Sequence, residues 1–317
     1  MRALVTGGAG FIGSALVRAL VEARHEIVIL DDLSTGSRRN LDGVGEVKLV
    51  GGDVRDPSAV REATAGAEVV FHLAALPSVA RSMANPMAGH AVNVDGTLNV
   101  LLAARDHGVR RFVYTSSSSV YGDTPTLPKR EDMPAQPRSP YAAAKLAGEA
   151  YCRAFAASYG LETVSLRPFN VFGPRQDPDS RYAAVIPRFI TAMRAGQRPE
   201  IFGDGRQSRD FTYIDNVVDA LILAAAAGPD ASGEVINVGC GGRTSLLELV
   251  GGLNEMLGSD LAPVFSAPRP GDVRDSEASV DKAGRLLGYR PSVDVGEGLH
   301  RTVSWLSERL APEGLKR

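Results

Sequence analysis

Tyr141 and Lys145 stand four residues apart in SPYAAAK, which runs from Ser139 to Lys145. On a helix that spacing puts both side chains on one face. Ser139 is placed to cap such a helix, and Pro140 suits its first turn. An ammonium beside a phenol favours the phenolate, so the pair predicts a lowered tyrosine pKa and a proton acceptor useful near neutral pH. An ordinary surface pair on an alanine-rich helix fits the same residues. Upstream, YTSSSSVYG at 114 to 122 offers a row of hydroxyls between an apolar run and a turn. A soft polar loop and a proton-moving site read alike there. The rest of the chain has to decide between them.

A second kind of chemistry is written near the start. TGGAGFIG, from Thr6 to Gly13, follows an apolar run and opens a helix-spaced one. Gly8, Gly10 and Gly13 fit G-x-G-x-x-G, with Gly7 as an extra glycine. The pattern assigns Gly8 to a tight turn, Gly10 to close approach of a pyrophosphate and Gly13 to helix–sheet packing. The helix N-terminus supplies unpaired N–H groups to phosphates. Asp31 ends the next strand at about the expected distance of ~20 residues. Its carboxylate would accept from an adenine ribose and repel a 2′-phosphate, which favours NAD over NADP. Asp32 and Ser34 either assist it or only cap a loop. GGD at 51 to 53 and HLAA at 72 to 75 fall at the ends of later strands, where ligands collect in this architecture. Asp53 is placed to meet the adenine. Ala74 and Ala75 leave room for a cofactor, or serve close helix–sheet packing. His72 reads as a hydrogen-bonded core residue. The five histidines show no metal-ligand spacing, so no metal is expected.

Alternating strands and helices must position these groups. Arg2–Thr6, Glu26–Leu30, Val47–Val50, Val69–Leu73, Arg111–Thr115 and Leu161–Leu166 read as strands. Phe11–Arg24, Pro57–Thr64, Val92–Asp106 and Tyr141–Ser158 read as helices between them. That order predicts an α/β, Rossmann-type, doubly wound parallel sheet covered on both faces. After Pro168 the texture changes to PFNVFGPRQDPDSRY, a loop-like stretch. Helical spacing returns at Tyr182–Ala195, Ile214–Ala227, Ser245–Leu257, Ser279–Leu287 and Val295–Leu310. The expected division is a dinucleotide-binding domain over 1–168, to which about 207–240 return, and a smaller α/β substrate lobe over most of 169–317.

In chain order, TGGAGFIG, DDLSTG, HLAA, SSSSVYG, YAAAK, RPFNVFGPRQ, GDGRQSRDF and RPGD resemble the motif series of the extended short-chain dehydrogenase/reductases, and among them the nucleotide-sugar 4-epimerases. The resemblance covers nearly the whole chain. It implies tightly bound NAD, held by Gly7, Gly10, Phe11, Ile12, Asp31, Asp32, Ser34, Asp53, Val54, Leu73, Ala74, Ala75, Asn93, Tyr141, Lys145 and Pro168. It makes Ser117, three residues before the valine of VYG, the catalytic hydroxyl. Tyr141 is then the proton acceptor, and Lys145 stabilises its phenolate. Ser118 touches the sugar, and Ser119 is a neighbour. Related 4,6-dehydratases carry an Asp-Glu pair at these two positions and related decarboxylases a Glu at the second. Two serines supply neither acid.

The reaction so implied is reversible C4 epimerisation of a UDP-hexose, UDP-glucose to UDP-galactose, through a transient 4-keto sugar. Ser78, Ser117, Ser118, Tyr141, Asn170, Val185, Ile201, Phe202, Arg209, Arg269, Asp272 and Ser276 are the implied substrate residues. Asn170, Arg209 and Arg269 would meet the diphosphate, Asp272 the uridine ribose, and Ile201 and Phe202 the base or simply an edge strand. Ser276 stands where a tyrosine excludes an N-acetyl group in such epimerases, so UDP-N-acetylglucosamine is a further candidate. UDP-glucuronate is the near alternative, although Asp177 stands where uronate enzymes often carry an arginine. A non-catalytic nucleotide-sensing or scaffold protein is the alternative of another class. A homodimer through the helices around 92–106 and 141–158 is also implied.

Bulk properties set the remaining bounds. The chain of 317 residues is 44% hydrophobic and carries a formal charge of −2, which points to neither a nucleic acid nor an anionic membrane surface as partner. Cys152 and Cys240 are too few for a disulfide framework and suit a reducing compartment. No apolar run reaches membrane-spanning length. A cytoplasmic location is expected.

Overall fold

The computed structural model describes residues 1–177, 184–268 and 273–309. The first half alternates as expected: β1 (Arg2–Thr6), α1 (Phe11–Glu22), β2 (Glu26–Asp31), β3 (Lys48–Gly51), α2 (Pro57–Thr64) and β4 (Val69–His72). Then come α3 (Val79–Ala84), α4 (Pro86–His90), α5 (Gly96–Asp106), β5 (Arg111–Thr115), α6 (Pro140–Tyr159) and β6 (Glu162–Pro168). The second half holds β7 (Val171–Phe172), α7 (Val185–Arg194), β8 (Glu200–Phe202), β9 (Ser208–Arg209), β10 (Thr212–Tyr213), α8 (Ile214–Ala226) and β11 (Glu234–Val238). It closes with β12 (Thr244–Ser245), α9 (Leu246–Leu257), β13 (Val264–Ser266), α10 (Asp281–Leu287) and α11 (Val295–Arg309).

Seven strands form one sheet in the order β11-β6-β5-β4-β1-β2-β3. Every pairing in it is parallel. Successive side chains on a strand point to opposite faces, and the two faces here are buried in different cores. Ala3, Val5, Ile27, Ile29, Val69 and Phe71 join Leu16 and Val17 of α1 and Val217 and Leu221 of α8. Leu4, Val28, Leu30, Val70, Phe112 and Tyr114 join Val60 of α2, Val100 of α5 and Phe155 of α6. Burial on both faces explains why these strands read as continuous apolar runs. The order reverses between β1 and β4, and the crevice at such a reversal is where dinucleotides bind.

One helix was expected over 92–106. It is present, as α5 preceded by a π-helical turn, Ala91–Asp95, and the short α3 and α4 before it were not anticipated. Pro86 opens α4 with Asn85 as its cap, the side chain accepting from the Ala88 amide at 3.1 Å. The wide turn places Asn93 so that its side chain holds both backbone groups of Leu76, at 2.8 and 3.2 Å. Single π turns of this kind recur at functional sites. The small lobe is built on strand pairs β7–β10, β8–β13 and β9–β12. Strands of two or three residues are too short to carry a readable period. Among the described residues, no helix is long and apolar enough to cross a membrane.

Candidate active site

The glycine turn is pinned from several directions. Gly7 adopts φ +71° and donates to Leu30 O at 2.8 Å. A Cβ there would lie 2.7 Å from the Ala74 amide nitrogen. Gly7, and not Gly8, therefore makes the tight turn. Gly8 is needed because a Cβ would meet Ile29 at 2.7 Å. Gly13 has the packing role its position predicts, since a Cβ would sit 2.1 Å from Gly7 O. Asp31 accepts from the Ala9 and Leu33 amides, both at 2.8 Å. Its carboxylate thus ties the turn to the end of β2. Burial raises its pKa, and those two amides work against the rise. An ionised carboxylate has about four acceptor sites, so two bonds leave capacity for a ribose hydroxyl. Asp32 accepts from both the amide and the hydroxyl of Ser34, which is the loop-capping geometry. Asp53 is engaged by the Arg55 guanidinium, which holds its pKa low.

A single cleft of about 1440 Å³ runs over the carboxyl ends of the strands. Gly7, Gly10, Phe11, Ile12, Asp31, Asp32, Ser34, Asp53, Val54, Leu73, Ala74, Ala75 and Pro168 line it, and so do Tyr141 and Lys145. Asn93 does not line it; it is buried and fixes the Leu76 backbone at the cleft wall. Ser78, Ser117, Ser118, Asn170, Arg209 and Ser276 line the same cleft. A side cavity of about 300 Å³ shares Asn170, Arg188 and Arg209 with it and adds Val185 and Phe202. Ile201 lies elsewhere. It is fully buried in the core, because alternate residues of β8 face opposite ways. Arg269 and Asp272 lie outside the described residues.

Three elements bring the candidate reactive groups together. Ser139 caps α6 by accepting from the Ala142 amide at 3.1 Å. The Tyr141 amide donates to Ser82 Oγ of α3 at 3.1 Å. Tyr141 and Ser117 line the same cleft. Lys145 Nζ donates to Thr115 O at 2.8 Å and lies 5.0 Å over the Tyr114 ring. The expected lowering of the Tyr141 pKa is not found. Burial raises it, and only the nearby Ser117 hydroxyl pulls the other way. The lysine is itself desolvated and aimed at the end of β5. Its pKa is pushed down to about 8 by burial, while Glu149 one turn further along holds it up.

Ser78 and Asn170 carry φ of +95° and +32°, left-handed values rare without glycine and found preferentially at functional sites. Asn170 directs its side-chain amide to Asp210 O at 3.1 Å and to Ser276 Oγ at 3.0 Å. Both of its donor hydrogens are thereby engaged inside the protein, while the residue itself lines the cleft. Arg209 donates to Arg274 O at 2.8 Å on the cleft wall.

A buried ionic cluster behind the site went unread in the sequence. Arg167 donates to both oxygens of Glu149, and Ser116, next to Ser117, donates to the same carboxylate. The Arg167 guanidinium lies 4.6 Å over the Tyr121 ring, and Tyr121 OH donates to Asn237 of β11 at 2.7 Å. The Tyr141–Lys145 spacing extended by one more turn reaches Glu149, which was the available signal. Arg188, with its guanidinium 5.5 Å over the Phe202 ring, was likewise missed.

Comparison with known proteins agrees with this geometry. The model of the NAD dependent epimerase/dehydratase family matches residues 3–239. The UDP-glucose 4-epimerase of Mycolicibacterium smegmatis is 43% identical over 98% of this chain and 99% of its own. The UDP-glucose 4-epimerase of Thermotoga maritima, solved with UDP-glucose, superposes with a TM-score of 0.94 at 38% identity, over 98% of this chain and 100% of that one. The UDP-N-acetylglucosamine 4-epimerase of Methanobrevibacter ruminantium, solved with UDP-N-acetylmuramic acid, gives 0.93 at 39%, over 98% and 99%. The cradle at Gly7, which a Cβ would fill, and the spare acceptor capacity of Asp31 fit NAD. With its parallel sheet, its glycine cradle and its serine–tyrosine pair, the chain belongs to the NAD dependent epimerase/dehydratase family and is an NAD-binding enzyme of it.

Proposed function

We propose that the protein interconverts the C4 epimers of a UDP-hexose through a 4-keto sugar. The observation that carries this is the meeting of Ser117, Tyr141 and Lys145 in one cleft with a row of hydroxyls, Ser116 to Ser119, and no carboxylate in that segment. Bound NAD supplies hydride uptake and return. Tyr141 as phenolate takes the proton of the sugar 4-hydroxyl and later gives it back on the other face. Ser117 holds the sugar oxygen as it becomes a carbonyl. Lys145 contributes positive charge at the end of β5. A dehydration or decarboxylation would need an acid where Ser118 and Ser119 stand.

The side cavity supports a nucleotide base against Phe202, with Arg209 at its mouth facing the phosphates. Small Ser276 on the cleft wall favours neutral sugars with or without an N-acetyl group. UDP-glucose and UDP-N-acetylglucosamine are accordingly the first substrates to offer. A uronate ranks second, because Asp177 on the cleft wall would oppose a second carboxylate. A homodimer through α5 and α6, working in the cytoplasm, completes the reading.

The test is incubation of purified enzyme with UDP-glucose, UDP-N-acetylglucosamine or UDP-glucuronate, without added reductant. Anomeric proton NMR should show a C4-epimer signal with a neutral hexose. Turnover of UDP-glucuronate alone would install the uronate reading. Silence with all three, at full NAD content, would overturn the proposal and favour a sensing or scaffold role.

A further inference from the structure

Asp31 closes β2, and its register partner on β3 is Gly51. The Gly52 amide donates to Asp31 O at 3.2 Å, so Asp53 follows one strand further out from the glycine turn. Adjacent strands lie about 4.8 Å apart. A dinucleotide with its pyrophosphate on the glycine turn and a ribose at Asp31 therefore carries its adenine toward Asp53. The wall there suits a flat base. Val54, Ala74 and Val92 line the cleft and pack in one apolar cluster. Asp53, next to Val54, adds a carboxylate, which only accepts hydrogen bonds when ionised. Adenine offers an amino group there as donor, where hypoxanthine would offer a carbonyl.

The carboxylate does not swing freely. The Arg55 amide donates to Asp53 Oδ1 at 2.8 Å, Arg55 Nε to Oδ1 and Oδ2 at 3.0 and 2.9 Å, and Arg55 Nη2 to Oδ2. A planar guanidinium on a planar carboxylate fixes the plane of both. Three donor groups occupy three of about four acceptor sites, and one remains. The pair is no prop of the fold. The Arg55 side chain is half exposed, and such pairs contribute little to stability. The cap of α2 comes from Asp56, not from Arg55. We propose that Arg55 is a positioning residue for cofactor specificity: its fork turns the one remaining acceptor site of Asp53 to the adenine amino group, so that the cleft rejects a dinucleotide whose base carries a carbonyl there. This rests on Asp53 meeting the adenine, and not on the sugar or the reaction.

The experiment is a competition on the NAD-loaded enzyme. Parent, Arg55→Ala, Arg55→Lys and Asp53→Asn are each equilibrated with equal excesses of NAD and nicotinamide hypoxanthine dinucleotide until the bound ratio is constant. Free dinucleotide is removed, and the bound pair is released by denaturation and separated by chromatography. The parent should prefer NAD about 10- to 100-fold, the worth of a hydrogen bond to a charged group. Arg55→Ala should narrow that preference about 3- to 10-fold. Arg55→Lys, which keeps the charge and loses the fork, should narrow it nearly as far. Asp53→Asn should flatten it, because an amide can also donate to a carbonyl. A parental ratio in both Arg55 variants overturns the proposal. Less total dinucleotide at that same ratio would make Arg55 a stacking or charge contact instead. A parent without preference, or an unchanged ratio in Asp53→Asn, removes the adenine contact on which the proposal rests and overturns it at that level, while NAD binding itself stands.

Discussion

Glu149 and Arg167 meet in two parallel hydrogen bonds of 2.8 and 2.7 Å, with both side chains almost wholly removed from solvent. The pair joins α6, which carries Tyr141 and Lys145, to the end of β6, and through Ser116 it holds the segment that carries Ser117. Glu149→Gln keeps an acceptor for Ser116 but strands a buried guanidinium. It should cost about 3–5 kcal/mol, read by urea denaturation. The double variant Glu149→Gln/Arg167→Gln should recover part of that loss. Glu149 also holds up the Lys145 pKa of about 8. The parent kcat should decline as pH rises through about 8, where Lys145 loses its proton. Where Glu149→Gln remains folded, that limb should move to lower pH.

Tyr141→Phe removes the proposed proton acceptor while leaving the Ser82 contact, which uses the backbone. The expected kcat loss is on the order of 10²–10⁴. NAD content, read by absorbance after denaturation, should match the parent. Near-parental turnover would show that another group moves the proton.

His72 is sealed between Thr6 and Thr97, at 2.7 and 2.9 Å, and burial pushes its pKa down to about 3, with the Lys145 charge adding to the effect. Its folded pKa lies below the ordinary value of 6.5, so between those values the unfolded chain binds the extra proton. Stability should therefore fall as pH drops from about 6.5 toward 3, with this one group contributing up to ~1.4 kcal/mol per pH unit. His72→Gln should flatten the slope in denaturant melts across that window. An unchanged slope would mean that His72 protonates without unfolding.

Gly13→Ala would press a methyl group onto the carbonyl of Gly7, the residue that shapes the cofactor cradle. Overpacking of this kind costs about 1–3 kcal/mol. The purified variant should carry less NAD than the parent and take it up more weakly by calorimetry.

Ser276→Tyr should remove turnover of UDP-N-acetylglucosamine while sparing UDP-glucose, because the added ring occupies the cleft wall. The Ser276 hydroxyl also accepts from Asn170. Equal loss on both sugars would therefore point to disturbance of Asn170 and not to exclusion of an acetyl group.

Much of the sheet is legible in the sequence because burial on both faces leaves long apolar runs between turn residues. The glycine cradle is legible because its spacing is fixed by one turn, and the Tyr141–Lys145 pair because it is fixed by one helix, whereas Ser117 is singled out from its neighbours only by the family resemblance. What escapes is set by distant contacts. Glu149 looks like an ordinary charge on an alanine-rich helix until Arg167 and Ser116 fold against it. The π turn at 91–95 has no periodic signature, so a single helix is the natural reading there. The phenol pKa was misjudged for a related reason. Sharing a helix face with Lys145 says nothing of where the ammonium is anchored, and here it is bonded to Thr115.

Strand β11 pairs with β6 across an intervening lobe, and its Asn237 receives the hydroxyl of Tyr121. A chain emerging from the ribosome therefore carries β6 as an open edge until Val238 has been made. Pairing across that distance in sequence is slow, and an uncovered apolar edge invites association with other nascent chains. The turn after Ser117 also gains its last anchor late in synthesis. A fragment ending at Pro168 contains Ser117, Tyr141 and Lys145, yet it should be short-lived and inactive.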